Sequence, residues 1–266
     1  MKISLITVCY NAERTIEKTL KSVLSQTYSN FEYLIIDAES DDNTLKIVDK
    51  YKKEFGNRIK VVSEKDEGIY DGMNKGVRLS TGNVIGILNA DDIFANNYVF
   101  EKIADAFDRE SCDGVYADLV YMDHDSMSIP YREFISGNYS KRGTWHPTHP
   151  TLYLKREVYQ KVGEYNLNYR IAADLDFMLR VKKIGAKLIY IKEYFVIMRA
   201  GGVSTNGLKG YYNNFKESYV AIKNNGIKVP FIVNCFRIIK TFNQGLRAKY
   251  RKNKIINRLR LENKSS

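Results

Sequence analysis

Two adjacent carboxylates, Asp91 and Asp92, follow a short apolar run from Val84 to Leu88 that predicts a buried strand. In an open α/β sheet, ligands bind at the carboxyl ends of the strands, and paired aspartates there suit a hard divalent cation that prefers oxygen ligands. Such a cation usually holds a diphosphate. The alternative is an Asx-rich turn that opens the next helix, since Asp and Asn cap helices well. The segment by itself leaves both interpretations open.

Polar side chains also follow the first two predicted strands, at the same expected sheet edge as Asp91. They are Thr7, Tyr10, Asn11 and Glu13 after the first strand, and Asp37, Ser40 and Asp42 after the second. We expect them to converge on one ligand, where Asp37 can accept a hydrogen bond from a base imino group or a ribose hydroxyl. Asn11 and Asp42 also stand where helix caps belong, so capping is the alternative for either residue.

Two common phosphate-binding motifs do not occur in the sequence. There is no Gly-x-Gly-x-x-Gly after the first strand and no Gly-x-x-x-x-Gly-Lys-Ser/Thr. The sequence therefore supports neither a dinucleotide cofactor nor a P-loop.

Residues 64–76 combine three glycines with several charges at the point where a helix begins. This composition predicts a loop that is shaped around a ligand. Asp66, Asp71 and Lys75 are candidates for polar contacts, and Lys75 suits a phosphate. A solvated helix face is the alternative.

The second half of the chain offers Asp174 at the start of a predicted helix that runs to Lys183. Spacing alone favours an N-cap role for this residue. Asp176 falls on another face of the same helix, where an i, i+4 ion pair with Arg180 is expected.

The single tryptophan, Trp145, lies in an aromatic and histidine-rich stretch, residues 143–151. Aromatic faces stack on sugar rings, so we expect Trp145 to contact a saccharide. His146 and His149 have the spacing of zinc ligands, but no Cys and no third His accompanies them, which disfavours a zinc site. A histidine satisfied within the core is the alternative for His149.

The elements that must position these residues alternate between strand and helix in the first half of the chain. Strands are predicted from Ile3 to Val8, Phe31 to Asp37, Ile59 to Ser63 and Val84 to Leu88, and helices from Arg14 to Ser25, Asp42 to Glu54 and Ile69 to Ser80. This β-α-β-α order predicts a mostly parallel sheet with helices on both faces. Further elements are predicted at 95–109 (helix), 114–121 and 129–135 (strands) and 156–162 (helix), which complete the sheet and form the second wall of a cleft.

Length and composition are those of an ordinary globular α/β protein. The chain has 266 residues, of which 44% are hydrophobic and 27% charged. No signal-peptide pattern opens it, and no apolar stretch is long enough to span a bilayer. Cys9, Cys112 and Cys235 are odd in number and far apart, which is typical of reduced core residues in a cytosolic protein.

The basic residues are concentrated at the C-terminal end. Residues 231–266 contain ten Lys or Arg and one Glu, so this segment supplies +9 of the net charge of +11. A nucleic-acid enzyme is expected to carry its basic residues around the working cleft, so this distribution argues against a nucleic-acid partner.

The basic segment from Pro230 is also amphipathic. One helical face carries Ile232, Cys235, Phe236, Ile239, Phe242 and Leu246. A helix of this kind, followed by many Lys and Arg, suits an anionic membrane surface and is too short in its apolar part to span it. The alternative is that the apolar face packs on the core and the charges are solvated.

Five segments occur in an order that resembles the motifs of family 2 glycosyltransferases of the GT-A fold, in particular the bacterial polysaccharide-assembly branch. They are residues 7–11, 22–28, 36–42, 68–76 and 88–92. The resemblance covers about residues 3–205, and five ordered motifs are far more specific than any one of them.

This resemblance implies a nucleotide-sugar donor, with a UDP-sugar expected. Asp37 would contact the base, Thr7, Tyr10 and Glu13 would surround the nucleoside, and Asp91 would bind a Mg²⁺ or Mn²⁺ that bridges the diphosphate, supported by Asp92. The sequence departs from the family pattern at Asn89, where the first Asp of the Asp-x-Asp element is usual. Asn89 can bond a ribose hydroxyl but adds no charge.

In the second half, the resemblance implies that Asp174 is the general base, in preference to an N-cap, and that His149 contacts acceptor or donor. Arg199 begins a segment that resembles another family element and could neutralise the leaving diphosphate. The glycines that follow it suggest a lid that closes over the donor.

These inferences together predict an inverting glycosyltransferase of cell-surface polysaccharide synthesis with a saccharide acceptor, expected to be lipid-linked. Residues 1–100 would bind the nucleotide sugar, 101–229 the acceptor, and 230–266 an anionic membrane surface on the cytoplasmic side. One alternative is a sugar-phosphate nucleotidyltransferase, although the segment 9–13 lacks that class's Gly-rich phosphate loop. A non-catalytic nucleotide-sugar-binding scaffold on the membrane is the other.

Overall fold

A computed structural model describes residues 1–123, 127–138, 146–201 and 207–262. Its centre is one nine-stranded sheet. The strands are β1 (Ile3–Cys9), β2 (Phe31–Asp37), β3 (Ile59–Ser63), β4 (Val84–Ile87), β5 (Ile93–Phe94), β6 (Gly114–Met122), β7 (Pro130–Phe134), β8 (Tyr153–Lys155) and β9 (Leu188–Arg199). The predicted mostly parallel sheet with flanking helices is confirmed.

The first half of the sheet has the strand order β3-β2-β1-β4, and all of its pairs are parallel. The register places Cys9 beside Asp37, and Asp37 beside Ser63. The carboxyl ends of these strands therefore meet at one edge, as the sequence predicts.

The second half continues through β8, β6 and β9 to β5. β8 runs antiparallel between β4 and β6, while β6 and β9 form a long parallel pair. β7 pairs antiparallel with β6, which sets Arg132 opposite Tyr121. The short strands β5 and β8 have no counterpart among the predicted elements because two or three residues carry no readable alternation.

Eight α-helices are described in this part of the chain. They are α1 (Ile16–Leu24), α2 (Thr44–Phe55), α3 (Ile69–Leu79), α4 (Val99–Arg109), α5 (Arg156–Val162), α6 (Ala173–Lys183), α7 (Gly207–Asn224) and α8 (Pro230–Glu262). They cover both faces of the sheet. On one face, Ile6 of β1 packs in a cluster with Met73 of α3, and on the other, Leu5 of β1 packs in a cluster with Leu20 of α1.

Glycines allow α3 to approach β1 closely. A Cβ at Gly72 would lie 2.5 Å from Cγ1 of Val8, and a Cβ at Gly76 would clash with Ile6. Gly68 caps the helix with a φ of 120°, which favours glycine. The glycines of residues 64–76, expected to shape a loop around a ligand, are thus explained in part by packing.

The second part of α8 packs on the sheet. Ala248, Ile255 and Leu259 are buried in a cluster with Val120 and Met122 of β6. For the second part of α8, this contact supports the interpretation that the C-terminal segment packs on the core.

Two ion pairs reinforce this docking. Arg251 lies 2.9 Å from the buried carboxylate of Glu133, and Arg258 lies 3.3 Å from that of Asp118, which is fully buried. A charge buried inside a protein needs a partner of opposite charge. The two arginines of α8 therefore neutralise two buried carboxylates of the sheet.

The first part of α8 differs from the second. An apolar row there is 43% to 69% exposed, and it consists of Ile232, Phe236, Ile239, Phe242 and Leu246. Cys235, predicted on the same face, is partly buried. None of the helices that the structure describes combines the length and apolarity needed to cross a bilayer.

Candidate active site

The carboxylate of Asp37 is fixed at the end of β2. It is fully buried and accepts hydrogen bonds from the Ser40 amide (3.0 Å), the Ser40 hydroxyl (2.5 Å) and the Ser63 hydroxyl (2.7 Å). Burial raises the pKa of the neighbouring Cys9 thiol, and so does the charge of Asp37. Asp37 thus holds the loop after β2 against β3, and its contact to a base stays a prediction.

The loops after β1 and β2 are tied to each other by side-chain hydrogen bonds. The Asn11 side-chain oxygen accepts from the Asp41 amide at 3.1 Å, and Glu13 accepts from the amide and the side chain of Asn43 at 3.1 and 2.8 Å. Asn11 has a positive φ of 49°, which Asn tolerates better than most residues. The two predicted groups therefore form one connected loop surface.

Thr7 and Tyr10 differ in exposure. The Thr7 hydroxyl is fully buried, donates to the Leu88 carbonyl at 2.7 Å and accepts from the Tyr33 hydroxyl at 3.0 Å. The Tyr10 side chain is 63% exposed at the loop surface. Tyr10 is therefore accessible to a ligand, while the Thr7 hydroxyl is used within the sheet.

The charges predicted in residues 64–76 mostly satisfy each other. The Lys75 ammonium donates to the Lys65 carbonyl at 2.6 Å and lies 3.3 Å from Glu64 and 3.7 Å from Asp71. Asp66 accepts from the Gly68 amide at 2.9 Å. Lys75 is held inside its own loop, and its predicted phosphate contact remains a prediction.

The partly buried Asn89 and the fully buried Asp92 form a hydrogen-bonded pair after β4. The Asn89 side-chain amide donates to Oδ2 of Asp92 at 2.9 Å, and the Thr19 hydroxyl donates to the Asp92 carbonyl at 2.8 Å. Burial raises the pKa of Asp92 well above its usual value, and the charge of Asp91 raises it further. The segment does form a turn, closed by the Asp92 amide donating to the Asn89 carbonyl at 3.1 Å, but it leads into β5 and does not open a helix.

The residues of this turn fit a divalent cation. Within the described residues, Oδ1 of Asn89 and Oδ1 of Asp92 are buried and accept no hydrogen bond. Buried oxygens without a donor are costly, and oxygen ligands are what Mg²⁺ and Mn²⁺ prefer. Among the described residues, no three His, Cys, Asp or Glu side chains cluster as metal ligands.

Arg199 comes to the same edge from the end of β9. The register places it beside Met122 of β6, and the charge of Arg199 lowers the pKa of Asp92 against the effect of burial. Arg199 therefore acts on Asp92, and its predicted contact with the leaving diphosphate stays a prediction. Residues 202–206, which include most of the predicted lid, lie outside the described residues.

Asp174 lies in the first turn of α6, two residues after the capping position, which is Ala172. The backbone before it is held by Glu217 of α7, whose Oε2 accepts from the amides of Ile171 (2.7 Å) and Ala172 (3.1 Å). The Tyr70 hydroxyl donates to the Ile171 carbonyl at 2.7 Å. Asp174 is therefore not the N-cap, although its Oδ1 accepts from the Leu175 amide at 2.7 Å, and its side chain is one-third exposed.

His149 accompanies Asp174. Its Nδ1 lies 3.7 Å from Oδ2 of Asp174, and its Nε2 is buried with no hydrogen-bond partner among the described residues. Burial raises the pKa of Asp174, but His149, His146 and the Leu175 amide together lower it more, so the net pKa is below the usual value. Asp174 is thus ionised at neutral pH. Trp145 lies outside the described residues.

His146 is held neutral by its surroundings. Burial lowers its pKa to about 4, and the charge of Arg237 on α8 contributes to the shift. Its Nδ1 lies 2.8 Å from the Pro147 carbonyl. The two histidines of residues 143–151 therefore have different environments.

Tyr121, on β6, was not predicted as a site residue. Burial raises its pKa, Arg132 lowers it, and the charges of Asp92 and Asp174 raise it. The Arg132 guanidinium stacks 3.7 Å from the centre of the Tyr121 ring. The charges of Asp92 and Asp174 therefore both act on the Tyr121 hydroxyl. Only the β6–β7 register, which the sequence does not specify, could have identified this pair.

The sequence was compared with protein families and curated proteins. Residues 4–170 match the family model described as Glycosyl transferase family 2. A PGL/p-HBAD biosynthesis glycosyltransferase of Mycobacterium bovis is 30% identical over 188 residues, which are 66% of this chain and 68% of that protein.

Solved structures show the same fold. S. aureus TarS 1–349 in complexes with UDP and UDP-GlcNAc has TM-scores of 0.61 and 0.65 at 19% identity, covering 84% and 89% of this chain and 66% and 73% of that chain. The mannosyltransferase PcManGT of Pyrobaculum calidifontis, in complex with GDP-Man and Mn²⁺, has a TM-score of 0.64 at 17% identity, covering 84% of this chain and 63% of that chain. The chain thus spans about two thirds of the length of these proteins.

Proposed function

The chain belongs to glycosyltransferase family 2, and we propose that it transfers a sugar from a UDP-sugar to a saccharide acceptor with inversion, using Asp174 as the general base. One observation carries this proposal. The Asp174 carboxylate is ionised and partly exposed, and the backbone turn before it is held by Glu217 and Tyr70.

The reaction is a direct displacement at the anomeric carbon. The acceptor hydroxyl forms the new C–O bond while the bond from the anomeric carbon to the donor phosphate breaks, and the hydroxyl proton passes to Asp174. The nucleoside diphosphate leaves with the bonding electron pair. His149, 3.7 Å from Asp174, keeps the carboxylate in its charged form before the reaction.

The donor occupies the sheet edge formed by β1, β2 and β4. The nucleoside pocket there is lined by Asp37, Tyr10, Asn11 and Glu13, and Thr7 lies behind these residues. The solved relatives support a nucleotide donor, because TarS binds UDP and UDP-GlcNAc and the mannosyltransferase binds GDP-Man.

Asp91 and Asp92 hold the divalent cation, with Asn89 beside them. A bound Mg²⁺ or Mn²⁺ supplies positive charge that stabilises the departing diphosphate. Arg199 adds a fixed charge at the same edge. The Mn²⁺ complex of the mannosyltransferase is consistent with this assignment.

The acceptor is a lipid-linked saccharide of cell-surface polysaccharide synthesis, and the protein works on the cytoplasmic face of the membrane. The support is the exposed apolar row of α8, flanked by basic residues. Within α8 there are nine Lys or Arg and one acidic residue, Glu262. An amphipathic basic helix of this kind binds anionic bilayers in the plane of the surface.

Asp174→Asn tests the catalytic assignment. With UDP-sugars, Mn²⁺ and a saccharide acceptor, UDP release should fall by about 10²–10⁴-fold in the variant, while stabilisation by UDP and Mn²⁺ in a thermal-shift assay should persist. Asp105→Asn is the matched control because Asp105 is an exposed carboxylate on α4, paired with Arg109. Wild-type turnover in Asp174→Asn would refute the base, and UDP binding without turnover in the wild type would favour the scaffold alternative.

Vesicle flotation tests the membrane assignment. The double variant Phe236→Ser/Phe242→Ser should lose binding to vesicles that contain phosphatidylglycerol, since both side chains are more than 60% exposed. Leu167→Ser/Ile184→Ser removes two exposed apolar side chains elsewhere and should bind normally. Equal binding by both variants would contradict the assignment.

A further inference from the structure

Two cations of α8, Arg237 and Lys240, lie one helical turn apart at the cleft. Two contacts hold this part of the helix, one just before Arg237 and one made by Lys240 itself. The Asn234 side-chain amide donates to the Phe215 carbonyl of α7 at 2.8 Å, and the Lys240 ammonium lies 5.6 Å from the centre of the Phe134 ring on β7. This part of α8 therefore spans from α7, which holds the turn before Asp174, to the β6–β7 pair.

Both cations influence the groups around Asp174. Burial lowers the pKa of Arg237 and the charge of Asp174 raises it. The charges of Arg237 and Lys240 both contribute to the lowered pKa of His146. Both cations thus act on His146, and Arg237 also interacts with Asp174.

These cations differ from the other basic residues that dock α8. Arg251 and Arg258 are paired with Glu133 and Asp118. Across the described ranges, neither Arg237 nor Lys240 has a carboxylate within 4 Å, and Arg237 donates to the neutral side-chain oxygen of Asn234 at 3.1 Å. Burial also lowers the pKa of Lys240. Arg237 is partly buried, whereas Lys240 is exposed. A partly buried cation without a carboxylate partner is costly, so Arg237, with Lys240 one turn away, suits an anion that arrives with a ligand.

We propose that Arg237 and Lys240 bind a phosphate or diphosphate group through which the acceptor saccharide is joined to its lipid. The inference rests on the proposed function and specifies its acceptor class. The donor diphosphate is assigned to Asp91, Asp92 and Arg199 at the sheet edge, whereas Arg237 interacts with Asp174 and Lys240 lies one turn further along α8.

The exposed row of α8 supports the same assignment. Phe236 and Ile239 are each adjacent in sequence to one of the two cations and are 66% and 55% exposed. A lipid attached through the phosphate would meet apolar surface next to its anionic group. The saccharide would then lie at Asp174, the phosphate at Arg237 and Lys240, and the lipid on the exposed apolar row of α8.

A direct binding experiment tests this proposal without requiring turnover. Decyl phosphate is the probe and decyl β-glucoside the neutral comparison, titrated below their micelle concentrations by calorimetry into the full chain. Arg237→Ala/Lys240→Ala should weaken decyl phosphate binding at least about tenfold, the loss expected for charge-assisted phosphate contacts, and should leave the glucoside unchanged.

Arg247→Ala/Lys249→Ala is the matched control, because it removes two exposed charges from the same helix. Its decyl phosphate binding should equal that of the wild type. An equal loss in both double variants would overturn the proposal in favour of general electrostatic attraction, and no loss in either would also overturn it. Arg237→Lys should restore part of the affinity, and thermal unfolding should show that all variants are folded.

A second arm separates the two sources of phosphate. UDP with Mn²⁺ should bind the Arg237→Ala/Lys240→Ala variant as it binds the wild type. Weakened UDP binding with intact decyl phosphate binding would assign the cations to the donor and overturn the acceptor assignment. Failure of the proposed function would instead appear as transfer that does not depend on Asp174, which these titrations do not measure.

Discussion

The Tyr70 hydroxyl of α3 donates a 2.7 Å hydrogen bond to the carbonyl of Ile171, three residues before Asp174. This bond connects the helix at the donor side with the turn that carries the proposed base. Tyr70 is buried, and its ring stacks on Tyr165 with centres 5.8 Å apart. The position of Asp174 relative to the sheet edge is therefore set by a direct contact across the cleft.

Tyr70→Phe should lower the free energy of unfolding by about 1 kcal/mol, since it leaves the Ile171 carbonyl without its donor. It should also lower kcat for transfer while leaving UDP affinity unchanged. Urea denaturation and steady-state kinetics measure the two effects. Tyr51→Phe, which removes a surface hydrogen bond of 2.7 Å to Glu17, serves as the control and should affect neither kcat nor UDP binding. Unaltered kcat in Tyr70→Phe would contradict the positioning role.

Gly86→Ala should destabilise the protein by about 1–3 kcal/mol because a methyl group there would overlap the ring of the fully buried Tyr153. Gly245→Ala should instead raise the free energy of unfolding. This glycine lies inside α8 with no atom within 4 Å of a built Cβ, so alanine should stabilise by about 0.5–1 kcal/mol. Urea midpoints compare the two variants, and a neutral Gly86→Ala would show that the β4–β8 contact is looser than described.

His146 should make stability depend on pH. Its pKa is about 4 in the folded protein, below the value of about 6.5 for an unfolded chain. Between these values the unfolded state binds more protons, so stability is complete above about pH 6.5 and decreases as the pH falls toward 4. The difference in unfolding midpoint between pH 7 and pH 4.5 should therefore be smaller for His146→Asn than for the wild type. An equal difference would show that His146 titrates normally.

Arg237→Ala should raise the pKa of His146, because it removes a nearby positive charge while burial remains. NMR titration of the ring protons measures this shift in a chain with only three histidines. Arg247→Ala, on the exposed side of α8, should leave the pKa unchanged. A constant His146 pKa in Arg237→Ala would place the guanidinium farther from the cleft than described.

Asp91→Asn should remove the Mn²⁺-dependent part of the stabilisation by UDP, because it replaces a charged oxygen ligand with a neutral one. Thermal-shift curves with UDP, with and without Mn²⁺, measure this part directly. Asp105→Asn should retain it. Full Mn²⁺ dependence in Asp91→Asn would move the cation site away from this turn.

The first half of the fold could be predicted because its information is local. The apolar runs of β1 to β4 and the helical spacing between them place each element to within about two residues. The i, i+4 pair of Asp176 and Arg180 was equally predictable, and it is observed at 2.8 Å. α7 has no predicted counterpart, although its Glu217 holds the turn before Asp174.

The rest of the site could not be predicted because it depends on contacts between distant residues. Tyr70 and Ile171 are 101 residues apart, and Arg132 reaches Tyr121 only through the register of β6 and β7. Local charge alone also does not show that Lys75 is paired within its own loop with Glu64 and Asp71. The sequence shows which side chains are charged, but the packing of the folded chain determines which of them can still contact a ligand.

The docking of α8 has a practical consequence for anyone who shortens the chain. Removing residues 230–262 would strip Asp118 and Glu133 of their arginine partners and uncover the apolar side of β6. A truncated protein that aggregates would then be easily misread as one that has lost its membrane anchor. The C-terminal helix both stabilises the sheet by packing on β6 and presents an exposed apolar row. These two roles can be separated by substituting individual side chains, but not by truncation.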